Sequence, residues 1–333
     1  MERPTPTAEE VLIQVEAAGL CRSDLHVIDA RPGDLPYRIP FTLGHEVAGR
    51  VVERGPLAVG PAVGERVVVH GPWGCGSCAR CAAGADNYCD RRATLDADRV
   101  GTGAGLGRDG GMADLMLVPS GRLLVPVGDL AAVQAAPLSD AGLTAHHAVA
   151  SVRHSLDEGA SVVVLGIGGL GHLAIQILRA TTAAQVLAVD VREEALALAD
   201  ECGAHFGTLL RPDTAAVLRG RTDGVGAVAV LDFVGSRSSL KLAVDVLRAG
   251  GELAVVGSGG GELTVRKPGA LPPGTRISLP FWGTLPELEA VIALALKDSL
   301  RVHVEQFPLS DAVEVIARLR SGDVRGRAVL VPD

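Results

Sequence analysis

A cluster of four cysteines constrains this chain more than any other feature of its sequence. The segment GCGSCARCAAGADNYC at residues 74–89 contains four of the six cysteines, Cys75, Cys78, Cys81 and Cys89. Four thiolates at this spacing can complete a tetrahedral Zn²⁺ site without ligands from elsewhere. Two local disulfides or a redox Cys-x-x-Cys pair are the alternatives, but no signal peptide is recognisable, and intracellular thiols stay reduced. A Cys₄ site has no open coordination position, so we expect a structural zinc in a lobe at residues 74–90 and the chemistry elsewhere.

The composition and charge limit the possible partners. The chain has 333 residues, enough for two domains, and a formal net charge of −8 without a run of lysines or arginines. We therefore expect neither nucleic acid nor an anionic membrane as a partner. The longest apolar stretch, residues 161–178, contains four glycines, which favours a strand, a turn and a helix over a membrane span. These features predict a soluble, cytoplasmic protein.

The hydrophobic pattern changes character along the chain. In the first third, short β-branched runs alternate with turns rich in proline and glycine, and Val11, Ile13 and Val15 lie on one face of a predicted half-buried strand. Many short strands with turn signals predict a barrel-like β-domain. From residue 161 to about residue 279, predicted strands alternate with helical segments, which indicates a parallel sheet with helices on both faces.

A glycine motif follows the first predicted strand of this second region. Its sequence GIGGLG contains Gly166, Gly168, Gly169, Leu170 and Gly171. The missing side chains let the backbone approach a pyrophosphate, and the N-terminus of the following helix supplies N–H donors. Asp190 ends the next predicted strand, 19 residues beyond Gly171, where a carboxylate can hold both ribose hydroxyls of NAD. A tight structural turn is the alternative, but the whole pattern favours a Rossmann-type dinucleotide site.

The expected cofactor follows from two opposing charges. Asp190 would repel the 2′-phosphate of NADP, which favours NAD. Arg192 lies two residues further on and softens that preference, because it can offer a cation to a phosphate. We predict NAD as the cofactor, with Arg192 among the residues that contact it.

Two short segments near the N-terminus contain a second candidate metal site. Cys21 lies in GLCRSDLH at residues 19–26, and His45 precedes Glu46 in GHE at residues 44–46. Taken alone, Cys21 could be a small buried apolar residue, and His45 could be a strand histidine whose hydrogen bonds are satisfied within the fold. Together with the cysteine cluster, the glycine motif and the segments GPWGC (71–75), APLSDAGLT (136–144) and PFWGT (280–284), they make the chain resemble the zinc-dependent medium-chain alcohol dehydrogenases. Within that family it resembles the bacterial NAD-dependent secondary-alcohol dehydrogenases.

The resemblance implies a catalytic zinc bound by Cys21, His45 and Asp140, in addition to the structural zinc. The commonest family pattern has a second cysteine as third ligand. Asp140 stands at that position here, as in some branches of the family, and a helix cap is its alternative role. Glu46 would lie behind the metal and approach it as ligands exchange, and Asp24 would hold His45 in one tautomer. A solvated surface acid is the alternative for each of these two carboxylates.

The implied reaction is the reversible transfer of a hydride between a small-molecule alcohol, in this branch a secondary alcohol, and NAD. Ser23 matches a position whose hydroxyl bonds the substrate oxygen. His26 matches the last group of a proton relay, which suits an imidazole; a surface histidine without a role is the alternative. A polyol, threonine or aldehyde-type dehydrogenase is the second enzymatic reading, and a non-catalytic nucleotide-binding relic is the third.

The family also implies an architecture and further contacts. Residues 1–141 and 285–333 would form a GroES-like β-barrel catalytic domain around a Rossmann domain at residues 142–284, with the active site in the cleft between them. Pairing through edge strands of the nucleotide domains would give a homodimer or homotetramer. Family members usually open with a short hairpin, so the first strand or two are expected to be missing here. Cofactor pyrophosphate contacts are expected from Arg22 and Arg325, and alcohol-pocket contacts from Phe281 and Trp282.

Overall fold

Two compact units make up the chain. The computed structural model of the protein describes residues 3–31, 33–35, 37, 39–92 and 103–333. The first unit comprises Met1–Leu143 and Trp282–Asp333, and the second comprises Thr144–Phe281. No helix among these described residues is both long and apolar enough to cross a bilayer.

The first unit is built on a mainly antiparallel sheet. Its described strands are β1 (Val11–Leu20), β2 (Glu46–Arg54), β3 (Arg66–Val69), β4 (Gly103–Ala104), β5 (Gly107–Arg108), β6 (Leu115–Val118), β7 (Leu124–Pro126), β14 (Val304–Pro308) and β15 (Arg327–Val331). Seven of them form one sheet in the order β14-β15-β1-β2-β3-β7, with β6 beside β1, and β4 pairs with β5 separately. Its helices are α1 (Arg22–Asp29), α2 (Ala79–Ala82), α3 (Ala132–Ala135), α9 (Leu285–Leu296) and α10 (Ala312–Ser321), and α4 (Ala141–Val152) crosses into the second unit.

Strand β1 is buried more deeply than its alternating pattern predicts. Val11, Ile13 and Val15 belong to the core as expected, but Leu12 is fully buried as well. The reason is its central place in the sheet, since β1 pairs with β2 on one side and with β6 and β15 on the other. The end of this strand leads directly into Cys21, so a rigid element supports that residue.

The second unit is a parallel sheet with helices between its strands. The strands are β8 (Ser161–Leu165), β9 (Gln185–Asp190), β10 (Phe206–Leu209), β11 (Ala227–Asp232), β12 (Leu247–Val255) and β13 (Arg276–Ser278). The helices are α5 (Gly171–Thr181), α6 (Glu193–Glu201), α7 (Thr214–Gly220) and α8 (Arg237–Val246). The order β10-β9-β8-β11-β12-β13, with every pair parallel, is that of a doubly wound dinucleotide-binding sheet. The predicted parallel sheet is confirmed.

Candidate metal and cofactor sites

Three side chains from distant parts of the first unit converge on one point. Cys21 is the N-cap of α1, His45 immediately precedes β2, and Asp140 immediately precedes α4. The Asp140 Oδ2 lies 3.6 Å from the Cys21 Sγ and 3.5 Å from the His45 Nε2. All three donor atoms lie within 4.8 Å of one another, a spread that suits ligands around one tetrahedral Zn²⁺. The structure thus brings together the three residues that the resemblance implied.

The surroundings of His45 favour a positive charge, either on the ring itself or on a cation bound to it. The side chain is 1% exposed, and its Nδ1 lies 3.3 Å from Oδ1 of the fully buried Asp24. Burial alone would lower the pKa of His45, but the neighbouring groups of Asp24, Asp140 and Cys21 raise it well above the usual value. Among the described residues, neither ring nitrogen has a partner in hydrogen-bond geometry. A buried imidazole facing a thiol and a carboxylate fits a zinc ion, which these three side chains would bind.

Helix α1 fixes the group that orients His45. The N–H of Cys21 donates to Oδ2 of Asp24 at 2.8 Å, which leaves Oδ1 of the same carboxylate facing the imidazole. Because Asp24 stands three residues after the N-cap, the backbone of the first turn itself positions this carboxylate. The sequence-based role of Asp24 therefore has a geometric basis.

Glu46 lies beside this site within a buried ion pair. Its Oε1 accepts hydrogen bonds from the guanidinium of Arg327 in β15 and from the N–H of Ala141, the latter at 3.2 Å. Burial raises the pKa of Glu46, while the charge of Arg327 opposes that effect. Gly19 leaves space for the carboxylate, because a Cβ there would lie 1.9 Å from Oε2. Arg327 was missed by the sequence analysis, although an arginine at the start of the apolar run RAVLV was a usable signal.

The other predicted site residues of the first unit differ in how far their side chains are exposed to solvent. Ser23 is half-buried, with its Oγ 3.8 Å from the Cys21 Sγ. His26 is exposed on the same helix. Arg22 and Arg325 are also exposed on the first unit, and the N–H of Arg325 donates to Glu305 at 2.6 Å. Their roles toward substrate, proton and cofactor stay predictions.

Trp282 forms a wall of the metal site, whereas Phe281 belongs to the second unit and is 39% exposed. The indole of Trp282 is 4% exposed and packs edge-on against the ring of His45, with centroids 5.7 Å apart and an interplanar angle of 80°. Its Nε1 donates to the carbonyl of Ser139 at 3.2 Å. The predicted alcohol-pocket role of both aromatic residues stays a prediction.

The four clustered cysteines converge on a second point of the first unit. Their Sγ atoms lie within 4.8 Å of one another, and all six cysteines, which are all described, are free thiols. Backbone amides face the sulfurs; the N–H of Cys78 lies 3.3 Å from the Sγ of Cys75. The N–H of Ser77 is the largest cause that lowers the pKa of Cys75, to about 6, which favours the thiolate. The site fits a structural zinc rather than local disulfides.

A bidentate ion pair supports this lobe from inside the first unit. Asp86 is fully buried; Arg122, in the 3₁₀ turn Gly121–Leu123, donates to both of its carboxylate oxygens at 2.8 and 2.9 Å. The N–H of Gly74 donates to Oδ1 at 3.0 Å. Although burial alone would raise the pKa of Asp86, the hydrogen bonds and charge of Arg122 lower it overall. The sequence analysis missed this pair, because its partners are 36 residues apart and fit no motif.

Replacing Arg122 with methionine is expected to accelerate zinc loss from the cysteine lobe by about 10–100-fold. The substitution would leave the Asp86 carboxylate buried without its cation and beside the side chain of Cys81. The release rate is measured with a chromogenic chelator in an Asp140→Ala background, so that only the zinc of the lobe is followed.

Arg80→Met is the matched control for this substitution. It removes the same charge from the same lobe, but Arg80 and Asp90 form an exposed pair, with 55% and 53% of their side chains accessible. Exposed ion pairs contribute little to stability, so we expect a rate of zinc release within about twofold of the parent. Equal rates of zinc release from the two methionine variants would show that the Arg122–Asp86 ion pair does not stabilise the lobe.

The glycine motif forms the turn between β8 and α5 in the second unit. Gly166 has φ +85°, which favours glycine, and a Cβ on Gly171 would lie 2.0 Å from the Gly166 carbonyl oxygen. A Cβ added to Gly168 would meet nothing within 4 Å, so this stretch of backbone is open to a ligand. Leu170 is the N-cap of α5. The turn therefore has the shape that a pyrophosphate at a helix N-terminus requires.

Asp190 connects the next strand to this turn. Its Oδ2 accepts a hydrogen bond from the N–H of Ile167 at 2.7 Å, and its Oδ1 accepts from the N–H of Arg192 at 3.1 Å. The guanidinium Nε of Arg192 lies 3.5 Å from the same Oδ1. The carboxylate stands beside the glycine turn at the carboxyl end of β9, so the residues present fit a dinucleotide with an unmodified ribose.

Two family models match the chain. The alcohol dehydrogenase GroES-like domain matches residues 7–129, and the zinc-binding dehydrogenase model matches residues 169–297. A relative from Sulfurisphaera tokodaii, named NAD-dependent alcohol dehydrogenase, is 36% identical over 342 residues, covering 99% of this chain and 94% of the relative. The chain belongs to the zinc-dependent medium-chain alcohol dehydrogenase family.

Solved structures of the family share the fold. The alcohol dehydrogenase of Aeropyrum pernix is 34% identical, with a TM-score of 0.91 over 100% of this chain and 95% of that chain. An acetophenone reductase from Geotrichum candidum, solved in complex with NAD, is 32% identical, with a TM-score of 0.84 over 98% and 91%. The predicted fold class, a Rossmann sheet plus a GroES-like domain, is confirmed, as is the family resemblance.

Proposed function

We propose that this dehydrogenase transfers a hydride reversibly between a secondary alcohol and NAD, with a ketone as the oxidised product. The convergence of Cys21, His45 and Asp140 carries the proposal, because three protein ligands leave a fourth position open, as catalytic zinc sites do. The glycine turn and Asp190 provide the site for the hydride acceptor. The name of the S. tokodaii relative supports the cofactor, and that of the G. candidum enzyme supports a ketone as substrate.

Residues of the first unit would bind the metal and transfer the proton of the alcohol. A zinc ion held by the three ligands would supply Lewis acidity that eases removal of the alcohol proton. Asp24 holds the Nδ1 side of His45, so that Nε2 points toward the other two ligands. Ser23 Oγ would accept the proton of the substrate hydroxyl as it gives up its own hydroxyl proton, and the exposed imidazole of His26 would pass the released proton to solvent.

Activity with a panel of alcohols tests the proposal directly. The zinc-loaded protein is mixed with NAD and, in turn, 2-propanol, 1-phenylethanol, ethanol, a polyol, threonine and an aldehyde, and NADH is followed by its absorbance. We expect the highest kcat/KM with a secondary alcohol. A preference for the polyol, threonine or the aldehyde would replace the proposed substrate class, and zinc and NAD binding without any turnover would indicate a relic.

Replacing Asp190 with asparagine is expected to raise the KM for NAD by about 10–100-fold. A carboxylate that accepts ribose hydroxyls makes charge-assisted hydrogen bonds, which contribute about 1.5–3 kcal/mol. Removing its negative charge also removes the repulsion of a 2′-phosphate, so the preference for NAD over NADP should fall. Steady-state kinetics with both cofactors measure the two effects together.

Asp200→Asn is the matched control for Asp190→Asn. It makes the same change of charge on an exposed residue of α6 in the same unit. Its kinetic constants for both cofactors should stay within about twofold of the parent, as is usual for surface substitutions. An unchanged KM for NAD in Asp190→Asn would remove the carboxylate from the proposed cofactor site.

The assembly and the location in the cell are part of the proposal. Edge strand β13 of the second unit carries Ile277, 39% exposed, and is followed by Leu279, 73% exposed. Such an edge supports pairing between two copies, as a homodimer or homotetramer in the cytoplasm. Light scattering of the eluted protein distinguishes the two assemblies, and a monomer would contradict both. The net charge of −8 supports the absence of nucleic-acid and membrane partners.

A further inference from the structure

The short segment at residues 282–286 brings Trp282 to the candidate catalytic metal site. The backbone of Trp282 has φ +54°, a left-handed conformation that a bulky residue adopts only at some cost in free energy. Such a conformation persists when surrounding contacts impose it. The contacts made by its direct neighbours therefore determine whether the indole stays packed against His45.

His70 makes one of these contacts from the end of β3. Its side chain is fully buried, and its Nε2 lies 3.0 Å from the carbonyl oxygen of Gly283. Since a carbonyl can only accept, Nε2 carries the hydrogen and donates. Burial lowers the pKa of His70 to about 4, so the imidazole is neutral near pH 7. Its Nδ1 has no hydrogen-bond partner among the described residues. Within that part of the chain, the bond to Gly283 is therefore the hydrogen bond that the imidazole makes.

The backbone of His70 is itself held firmly. Its N–H donates to the carbonyl of Leu123 at 2.7 Å, and its carbonyl accepts from Trp73 Nε1 at 3.1 Å. The next residue, Gly71, makes room for the indole, because a Cβ there would lie 2.0 Å from Cζ2 of Trp282. Residues 70 and 71 therefore both affect the position of Trp282. His70 bonds its neighbour Gly283, and Gly71 leaves the space that the indole occupies.

The cysteine lobe contacts the same segment on its other side. The N–H of Leu285 donates to the carbonyl of Gly84 at 2.7 Å, and a Cβ on Gly84 would lie 2.7 Å from Cδ of Pro286. Gly84 lies between Cys81 and Cys89, so the lobe holds the segment at residue 285 while His70 holds it at residue 283. Trp282 lies at the end of a segment with two supports.

We propose that His70 is a positioning residue for the reaction: by bonding Gly283 it keeps the indole of Trp282 against the zinc ligand His45. The inference deepens the proposed function and rests on it. It assigns a role to a fully buried histidine whose side chain, among the described residues, makes no hydrogen bond to a metal ligand or to the cofactor motif. Loss of the bond lets residue 282 relax from its left-handed conformation and moves the wall beside the reacting alcohol.

His70→Leu and His70→Gln test the proposal as a pair. Leucine removes the donor, whereas the amide nitrogen of glutamine reaches about as far as Nε2 and restores it. Kinetics with 2-propanol should show kcat/KM reduced about 10–100-fold in His70→Leu and recovered to within about threefold in His70→Gln, because small displacements at a reaction centre have effects of that size. Equal losses in the two variants would overturn the proposal.

Trp282→Phe separates positioning from general damage to the fold. If His70 acts through the indole, the effect of His70→Leu on kcat/KM shrinks to about twofold in the Trp282→Phe background. An undiminished effect there would show that His70 acts independently of Trp282. The comparison uses ratios between folded, zinc-loaded variants, so a modest loss of stability in either one does not decide it.

Tryptophan fluorescence supplies a readout that needs no turnover. The chain has two tryptophans, so Trp73→Phe leaves Trp282 as the single emitting tryptophan, and it removes the hydrogen bond to the His70 carbonyl equally from every variant compared. In that background, acrylamide should quench Trp282 several-fold more strongly in His70→Leu than in the parent or in His70→Gln. His205→Leu removes a different histidine, which accepts the N–H of Val186 in the second unit, and should leave quenching unchanged. Equal quenching in His70→Leu and the parent would overturn the inference even if no alcohol were oxidised, and inactivity of the parent would overturn only the proposed function.

Discussion

Replacing Asp140 with alanine should leave one zinc ion per chain and reduce kcat/KM about 10⁴-fold. The Asp140 Oδ2 lies close to both other candidate ligand atoms, 3.6 Å from the Cys21 Sγ and 3.5 Å from the His45 Nε2. Without it, two ligands remain, which is too few for a zinc site with three protein ligands. Lewis-acid stabilisation is worth several kcal/mol at the transition state, and about 5.5 kcal/mol corresponds to the stated factor. Zinc content by elemental analysis and steady-state kinetics measure the two effects.

Asp140→Cys separates loss of a ligand from damage to the fold. Cysteine is the commonest third ligand implied by the family, so this variant should keep two zinc ions and a kcat/KM within about tenfold of the parent. Asp114→Ala removes an ordinary carboxylate from the same unit and should change neither quantity. If Asp140→Ala kept two zinc ions and nearly full activity, the proposed catalytic centre would be wrong.

The parts of the site that are local in sequence could be predicted from it. The cysteine lobe lies within fifteen residues, and the glycine turn, its strand and its helix are continuous, so spacing alone indicates both. Cys21, His45 and Asp140 are each unremarkable by themselves, and the Cys21–Asp140 contact spans 119 residues. These residues were found only because the order of several motifs resembles a family.

The supporting contacts could not be predicted in this way. His70 and Gly283 are 213 residues apart, and Glu46 and Arg327 are 281 apart, so no periodicity or motif joins either pair. Their existence depends on which strands become neighbours, and that is fixed by the tertiary fold. The left-handed backbone of Trp282 is equally hidden, because a tryptophan gives no local signal for a positive φ. Sequence motifs therefore pointed to the candidate ligands and the glycine turn, whereas the residues that hold them in place required the structure.

Replacing Arg327 with methionine should reduce the free energy of unfolding by about 3–5 kcal/mol. The side chains of Arg327 and Glu46 are 5% and 0% exposed, so removal of the cation leaves a carboxylate in the protein interior without its charge partner. A methionine fills much of the space of the arginine stem, so the predicted loss is electrostatic rather than due to a cavity. Urea denaturation of zinc-loaded protein measures it, with zinc content determined for each variant.

Arg320→Met makes the same substitution in an exposed pair, in which Arg320 and Asp29 are 49% and 59% accessible. Water already solvates both charges there, so the expected cost is below about 1 kcal/mol. In the double variant Glu46→Leu/Arg327→Met no buried charge is left, and most of the lost stability should return, because apolar replacements of buried pairs are often neutral. Adding Glu46→Leu to Arg327→Met should therefore raise the free energy of unfolding, whereas simple addition of two destabilising substitutions would lower it further. If Arg327→Met cost no more than Arg320→Met, or if the double variant were less stable than the single one, the pair would not owe its effect to a charge stranded beside the zinc ligands.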